Sequence, residues 1–461
     1  METPLIEAFR QKIGHENVLT GNKIKERTHH IWEMDQPLKA RAVVLPVNAR
    51  QVSDIMKICH SFNQPVVVHG GLTNLVGSTE TQGREVVISM EKMNGILEMD
   101  TQSRTITVEA GSILQNIHLA AEAEGLMFPV TFGAKGSAQI GGVIATNAGG
   151  LKVFKYGMTR NSVLGLEVVL ADGTIVSSLK KLIKDNSGYD LKQLFIGSEG
   201  TLGIITKAVL RLIAAPKSRN SAFVGFDAYE KVVGFLVFME TGLAGKLSGF
   251  ELIWNDTYHA LTTILEGVGR PLRDDFPYYV LLEVSGGHQQ KDHLILQELL
   301  EEALEKELIA DAVIAQKAAD QERFWQIREQ VDRLVDLCQH DQHFDISLPI
   351  SKIDEYVKGV IEELNKVGEV EQYFVFGHMA DGNIHLIIGK SNASQELTNR
   401  VNDIVYAFLP AYGGSVSAEH GIGVHKKPYL HYSRSQEEID LMQSLKKMMD
   451  PLGILNPGKI L

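Results

Sequence analysis

Between residues 133 and 203 the chain carries 13 glycines in 71 positions, against 42 in all 461. Glycine loses more conformational freedom on folding than any other residue, so a local excess needs a use. Its uses are tight turns and the close approach of backbone N–H groups to a bulky ligand, often a phosphate. The densest piece runs Phe132-Gly133-Ala134-Lys135-Gly136-Ser137, then Ile140-Gly141-Gly142-Val143-Ile144-Ala145-Thr146-Asn147-Ala148-Gly149-Gly150. Small residues bury little apolar area, so a packed core gains little from such a run. A large flat ligand lying against the backbone accounts for it better. Two further pieces fit the same use. One follows the apolar strand at 65–68 and reads His69-Gly70-Gly71-Leu72-Thr73-Asn74-Leu75-Val76-Gly77. The other reads Gly197-Ser198-Glu199-Gly200-Thr201-Leu202-Gly203-Ile204-Ile205-Thr206.

The common nucleotide signatures are absent. Gly421-Ile422-Gly423 is followed by Lys426 where a dinucleotide fingerprint needs its third glycine. Gly389-Lys390-Ser391 imitates the end of a P-loop, but Ile384 stands where the first glycine belongs. Composition narrows the partners. Lys+Arg 45 against Asp+Glu 57 gives a net charge of -12. A duplex nucleic-acid binder is usually basic, so nucleic acid is not expected. The same balance argues against a polybasic membrane-surface protein. No transmembrane segment is expected, since the longest clearly apolar run, 232–239, is far short of the ~20 residues a spanning helix needs. Two cysteines, Cys59 and Cys338, do not make a disulfide framework. No secretory signal is read at the start. The expected location is cytoplasmic, or the mitochondrial matrix after loss of a presequence.

Short apolar strands alternate with helical stretches from residue 42 to about 216. Strands are expected at 42–46, 65–68, 86–89 and 105–108, with helices at 49–62 and 111–124. Glycine density falls after Pro216, which places a domain boundary there. Helices are expected at 294–308, at 323–338 with Phe324, Ile327, Val331, Leu334 and Val335 on the apolar stripe, and at 436–449.

A second constellation lies in Phe374-Val375-Phe376-Gly377-His378-Met379-Ala380-Asp381-Gly382-Asn383-Ile384-His385-Leu386-Ile387-Ile388. Two apolar strands around Asp381-Gly382 predict a two-residue hairpin turn. In that register His378 opposes His385. Directly opposed residues share a face with Cβ atoms about 5 Å apart. Two imidazoles so placed can bind one divalent metal. Ser417-Ala418-Glu419-His420-Gly421-Ile422-Gly423 offers a third ligand.

The three glycine blocks, with Val163-Leu164-Gly165-Leu166-Glu167-Val168-Val169-Leu170-Ala171-Asp172-Gly173 between them, resemble the FAD-linked oxidoreductases of the vanillyl-alcohol oxidase type. Within that group the resemblance is to D-2-hydroxyglutarate and D-lactate dehydrogenases, and it covers roughly residues 42–461. It implies an α+β protein. Two α+β subdomains at 1–216 would hold FAD. A cap at 217–430 would carry substrate and metal, and a C-terminal helix at 431–461 would return to the FAD domain. Carried over, Gly70, Gly71, Leu72, Thr73 and Asn74 would bind the pyrophosphate. Gly133, Ala134, Lys135, Gly136, Ser137, Gly141, Gly142, Thr146, Asn147 and Gly150 would line the isoalloxazine and ribityl chain. Glu199, Gly200, Gly203 and Ile205 would hold the adenosine half. The cofactor is expected to be non-covalent, with His69 not its anchor.

The hairpin pattern H-x-x-x-D-G-N-x-H and the E-H-G segment also resemble that family. They imply His378, His385 and Glu419 as ligands of Zn²⁺ or another divalent metal, and His420 as the base. Arg328, in Phe324-Trp325-Gln326-Ile327-Arg328, would grip a substrate carboxylate as a bidentate fork, and Asn383 would contact substrate. The chain has Asp332 where the hydroxyglutarate type has threonine. It has His343 where that type has lysine. Both changes reduce capacity for a second carboxylate, so the side chain of the hydroxy acid stays open. The function implied is metal-assisted oxidation of a D-2-hydroxy acid to the 2-oxo acid. Electrons would pass to an external acceptor, an electron-transfer flavoprotein or a quinone. Two alternatives are an O₂-using oxidase of another alcohol and a non-catalytic FAD-binding subunit. A homodimer is an open expectation.

Overall fold

The computed structural model describes residues 3–31, 36–265 and 267–461. Its contacts divide the chain into two units. The first is made of Met1–Gly150, Tyr156–Ala215 and Glu419–Leu461, and the second of Leu151–Lys155 and Pro216–Ala418.

The first unit holds two sheets. A four-stranded sheet has the order Val18–Leu19, Ala42–Val44, Val86–Ser89, Val66–His69. Its last three strands are parallel, and parallel neighbours need a crossover. The helix Ala49–Ser61 supplies one. Asn48 starts it by accepting the Gln51 N–H at 3.0 Å. Its buried face is Val52, Ile55, Met56 and Cys59, at the i, i+3, i+4 spacing of an amphipathic helix. A five-stranded antiparallel sheet has the order Ile96–Asp100, Thr105–Glu109, Ile204–Arg211, Val163–Val169, Ile175–Ser178. One apolar cluster joins both sheets through Val66, Ile88, Val108, Ile140, Val168 and Leu210. Residues near the end of the chain complete the first sheet's edge. The Val66 N–H donates to Ile454 O, and its carbonyl accepts the Asn456 N–H, each at 2.8 Å.

The second unit is built on a seven-stranded antiparallel sheet. Its order is Asp311–Ile314, Ser218–Phe226, Tyr278–Gly286, Leu247–Trp254, Val370–His378, Asn383–Lys390, His340–Ser347. The helices Asn255–Ile264 and Ala318–Glu329 bury Tyr258, Leu261, Phe324 and Ile327 in one cluster with Phe223, Ile253, Phe376 and Ile387. The α+β class expected from the sequence is what both units show.

Two local expectations need correction. The helix expected at 323–338 is an α-helix only over Ala318–Glu329. It stops at Gln330 and continues as a 3₁₀ helix over Val331–Leu337. At three residues per turn, Val331 and Leu334 fall in line and stay against the core. The 374–388 hairpin is not closed by two residues. Met379–Asp381 form a 3₁₀ turn ended by Gly382 at φ 81, so Phe376, not His378, pairs with His385. An added Cβ on Gly382 would meet Leu348 O at 2.3 Å, which reserves that corner for glycine. The shift is two residues, and side chains alternate with period two, so both histidines stay on one face.

Candidate active site

In the first unit, two of the glycine loops are brought together. A Cβ on Gly71 would lie 2.1 Å from Ser137 O, so only glycine lets the 70–74 loop pass this close to 137–138. Gly141 packs as tightly, with its notional Cβ 2.8 Å from that of Ala110. Gly133 and Gly142, by contrast, face open space, with nothing within 4 Å. Three non-glycine residues of the expected loops take left-handed backbone: Leu72 at φ 58, Asn147 at φ 50 and Glu199 at φ 48. Such conformations cost of order 1–3 kcal/mol and cluster at ligand sites. The Gln139 Oε1 is buried without a hydrogen-bond partner and lies 3.7 Å from the notional Cβ of Gly70. A backbone cradle with open space over its glycines, held in strained turns beside an unsatisfied acceptor, fits a large flat ligand such as FAD.

Several expected loop residues spend their side chains on the cradle itself. Asn74 accepts the Ser78 N–H at 3.0 Å and donates to Thr79 Oγ1 at 2.6 Å, which closes its own loop. Asn147 accepts the Arg160 N–H at 3.0 Å. Thr146 bonds back to Gly142 O at 3.0 Å within its helix. Glu199 accepts the backbone N–H groups of Ile422 and Gly423 at 2.8 and 2.9 Å and the Ser78 hydroxyl. Burial pushes its carboxyl upward, and these three donors oppose the push. Gly203 is a packing glycine, with the Val168 Cγ1 2.6 Å from its notional Cβ, and Ile205 is buried in its strand. Ala134 lies with Gly133, Lys135 and Gly136 in a short 3₁₀ turn, followed by Ser137. Gly150 and Gly200 adopt φ 114 and 73, and Thr73 lies half-buried in the first loop. Ser78 and Asn456 were not anticipated. Asn456 donates to Ser78 O at 3.2 Å and Glu199 O at 2.6 Å.

In the second unit, four strands and one helix converge on a buried polar group. Arg328 follows the core residue Ile327 and is itself 6% exposed. Its Nε donates to Glu251 Oε2 at 2.7 Å, and its guanidinium lies 4.9 Å over the Phe376 ring. The other Glu251 oxygen lies 2.8 Å from His378 Nδ1. Desolvation would raise the pKa of this carboxyl, but His378 and Arg328 hold it below its ordinary value. Arg328 Nη2 lies 3.5 Å from His378 Nε2. An acceptor at Nδ1 and a donor at Nε2 both select the imidazole protonated on Nδ1. The His378 and His385 rings stand 5.4 Å apart and nearly perpendicular.

Asp345, fully buried, accepts from Asn383 Nδ2 at 2.8 Å and from the Ala418 N–H at 3.1 Å, and its Oδ1 is 3.9 Å from His385 Nδ1. The second Asn383 amide bond goes to Ile346 O at 3.0 Å, so its nitrogen is committed to protein. Glu419 and His420 follow Ala418 directly in the chain. The first unit resumes at Glu419, so of the expected ligands His378 and His385 belong to this unit. Two imidazoles and a carboxylate are the donor set of a catalytic divalent-metal site. Asp332 and His343 are exposed, and His343 pairs with Asp341 at 2.7 Å. Glu251 was not anticipated. Its one sequence signal is an acid inside the apolar strand Phe250-Glu251-Leu252-Ile253, where a buried charge requires a partner.

An antiparallel sheet carrying Arg328, Glu251, His378 and His385, in a chain with a glycine-built cradle, defines a class. Residues 40–178 match the FAD binding domain model, and residues 215–460 match the FAD linked oxidases, C-terminal domain model. The chain belongs to the FAD-linked oxidoreductases of the vanillyl-alcohol oxidase type. More particularly, it is 37% identical over 459 residues to a mitochondrial D-2-hydroxyglutarate dehydrogenase of Arabidopsis thaliana, covering 99% of this chain and 81% of that one. It is 40% identical over 430 residues to a putative mitochondrial D-lactate dehydrogenase of Schizosaccharomyces pombe, covering 91% and 82%. Among solved structures, p-cresol methylhydroxylase with substrate bound has a TM-score of 0.77 at 18% identity, covering 99% of this chain and 96% of that one. An alkyldihydroxyacetonephosphate synthase has 0.76 at 17%, covering 99% and 86%. At these identities the two structures speak to the fold alone.

Proposed function

We propose that this protein is an FAD-dependent dehydrogenase that oxidises a D-2-hydroxy acid to the 2-oxo acid with the help of a divalent metal. The observation that carries the reading is the group of buried Arg328, Glu251 and His378 with half-buried His385 in the second unit. Bound FAD supplies a hydride acceptor, and a divalent cation supplies Lewis-acid stabilisation of the substrate oxygens. Arg328, with Nε engaged by Glu251, presents its terminal nitrogens to a carboxylate. His378, His385 and Glu419 would hold the metal. His420 is assigned the hydroxyl proton. Asn383, whose amide nitrogen is engaged by Asp345 and Ile346, would reach substrate only through its carbonyl oxygen.

The names of the relatives support the substrate class. Non-covalent FAD is supported by His69, whose Nε2 is engaged by Thr79 O at 2.9 Å. No helix among the described residues is long and apolar enough to cross a membrane. Of the two expected compartments, the relatives named as mitochondrial favour the matrix. The electron acceptor is proposed to be external, an electron-transfer flavoprotein or a quinone.

The test is anaerobic bleaching of the flavin absorbance by D- and L-lactate, D- and L-2-hydroxyglutarate and larger 2-hydroxy acids, with and without a chelator. Bleaching by a D-acid, abolished by the chelator and restored by Zn²⁺ or Mn²⁺, is expected. A flavin that none of the panel bleaches would sink the reading.

A further inference from the structure

We infer that Glu251 is the positioning residue that sets the metal ligand His378 and the substrate clamp Arg328 together, through one oxygen each. The inference rests on the function proposed above. Oε1 accepts a hydrogen bond from His378 Nδ1 at 2.8 Å, and Oε2 accepts one from Arg328 Nε at 2.7 Å. The carboxylate is 1% exposed and projects from Leu247–Trp254, the strand hydrogen-bonded beside Val370–His378. In that pairing Glu251 is directly across from His378. Register therefore delivers the acid to the histidine, and Arg328 comes to the same acid from the helix behind.

An ionised carboxylate only accepts hydrogen bonds. With both oxygens engaged by donors, His378 carries its proton on Nδ1 and turns the Nε2 lone pair away from Glu251. A metal-ligating histidine needs that tautomer, and its backing carboxylate raises the ligand's basicity. Arg328 is held at Nε by Glu251, with Nη2 3.5 Å from His378 Nε2, so its guanidinium plane keeps a fixed heading. Phe376 beneath the guanidinium, at 4.9 Å, restricts its tilt. Burying the charges has a desolvation cost, and a packed apolar pair would often be as stable. Orientation is what the ion pair adds to this position.

Glu251→Gln separates the roles. The amide matches the carboxylate in size but offers one acceptor and one donor group, so either His378 or Arg328 loses its acceptor. Four quantities are measured on the flavin-loaded protein: flavin stoichiometry, the Zn²⁺ dissociation constant by competition with a chromophoric chelator, and KM and kcat for the acid that bleaches the wild type. Zn²⁺ affinity is expected to weaken about 10–100-fold, and KM to rise at least about tenfold, with flavin content unchanged. Arg328→Lys should raise KM and leave Zn²⁺ affinity in place. Wild-type Zn²⁺ affinity and KM in Glu251→Gln would overturn the inference. If that variant does not fold, Glu251→Asp keeps both acceptors on a shorter stem. It should weaken both readouts, and wild-type values in both would overturn the inference equally. A wild-type protein that turns over without binding Zn²⁺ or Mn²⁺ defeats the metal reading itself. The KM of Glu251→Gln against Arg328→Lys then decides the role of Glu251.

Discussion

Glu199 Oε1 accepts the backbone N–H of Ile422 at 2.8 Å, across 223 residues of sequence. Its other oxygen takes the Gly423 N–H at 2.9 Å. Glu199 therefore works as a pin between a glycine loop and the 419–423 segment of the same unit. Glu199→Ala leaves two backbone donors without their acceptor, at about 1–3 kcal/mol each. Urea unfolding should register a loss of that size, together with reduced flavin content. Retained stability would show that water replaces the carboxylate.

The two kinds of glycine in the cradle should fail differently. Gly71→Ala puts a methyl group into the Ser137 carbonyl and should disturb the fold of both loops. Gly142→Leu enters open space on a helix, where replacing glycine favours the helix by up to ~1 kcal/mol. The apoprotein should melt no lower than wild type, while flavin stoichiometry drops. A full flavin complement in Gly142→Leu would mean that the ligand does not lie over this face.

His69 should make stability fall on mild acidification. Burial lowers its pKa from 6.5 to about 4, against the opposing hydrogen bond to Thr79 O. The unfolded chain binds this proton below about 6.5 and the folded chain only below about 4. Stability is therefore full above 6.5 and lost as pH falls through that window, by roughly 3 kcal/mol. His69→Gln should flatten this part of the pH profile of unfolding. An unchanged slope would assign it to other groups.

Asp292 in the second unit works at lower pH. It accepts from Lys246 Nζ at 2.7 Å, from the His288 N–H at 2.9 Å and from the Ser218 hydroxyl. Burial alone would raise its pKa. These donors outweigh burial and hold it at about 2 rather than 3.8. Its contribution is present above 3.8 and fades as pH falls toward 2. Asp292→Asn should lose roughly 2 kcal/mol at pH 7 and almost nothing at pH 2. An equal loss at both pH values would point to packing rather than charge.

Much of this arrangement could be read from local pattern. The C-terminal helix runs over Gln436–Met449 as expected, because Ser435 and Glu438 cap its start and Asp450-Pro451 ends it. Strands at 86–89 and 105–109 follow their apolar runs. The hairpin register was misread because a D-G pair suggests a two-residue turn, whereas Gly382 here closes a 3₁₀ turn and displaces the pairing by two. His378 and His385 still face each other because that displacement is even. Glu251 carries no motif. It meets His378 across 127 residues by strand pairing, and pairing between distant strands leaves little trace in a single sequence.

The edge strand Val66–His69 receives its last backbone partners from Ile454, Leu455 and Asn456. On the ribosome, that edge is made early and its cover nearly 400 residues later. The second unit, contained between Pro216 and Ala418 apart from Leu151–Lys155, is fully synthesised while the sheet edge still waits. An uncovered strand edge templates pairing with other chains. Nascent chains of this protein therefore carry an uncovered strand edge in the interval before residues 454–456 emerge, and a chaperone that shields the 66–69 edge over that interval would raise the yield of native protein.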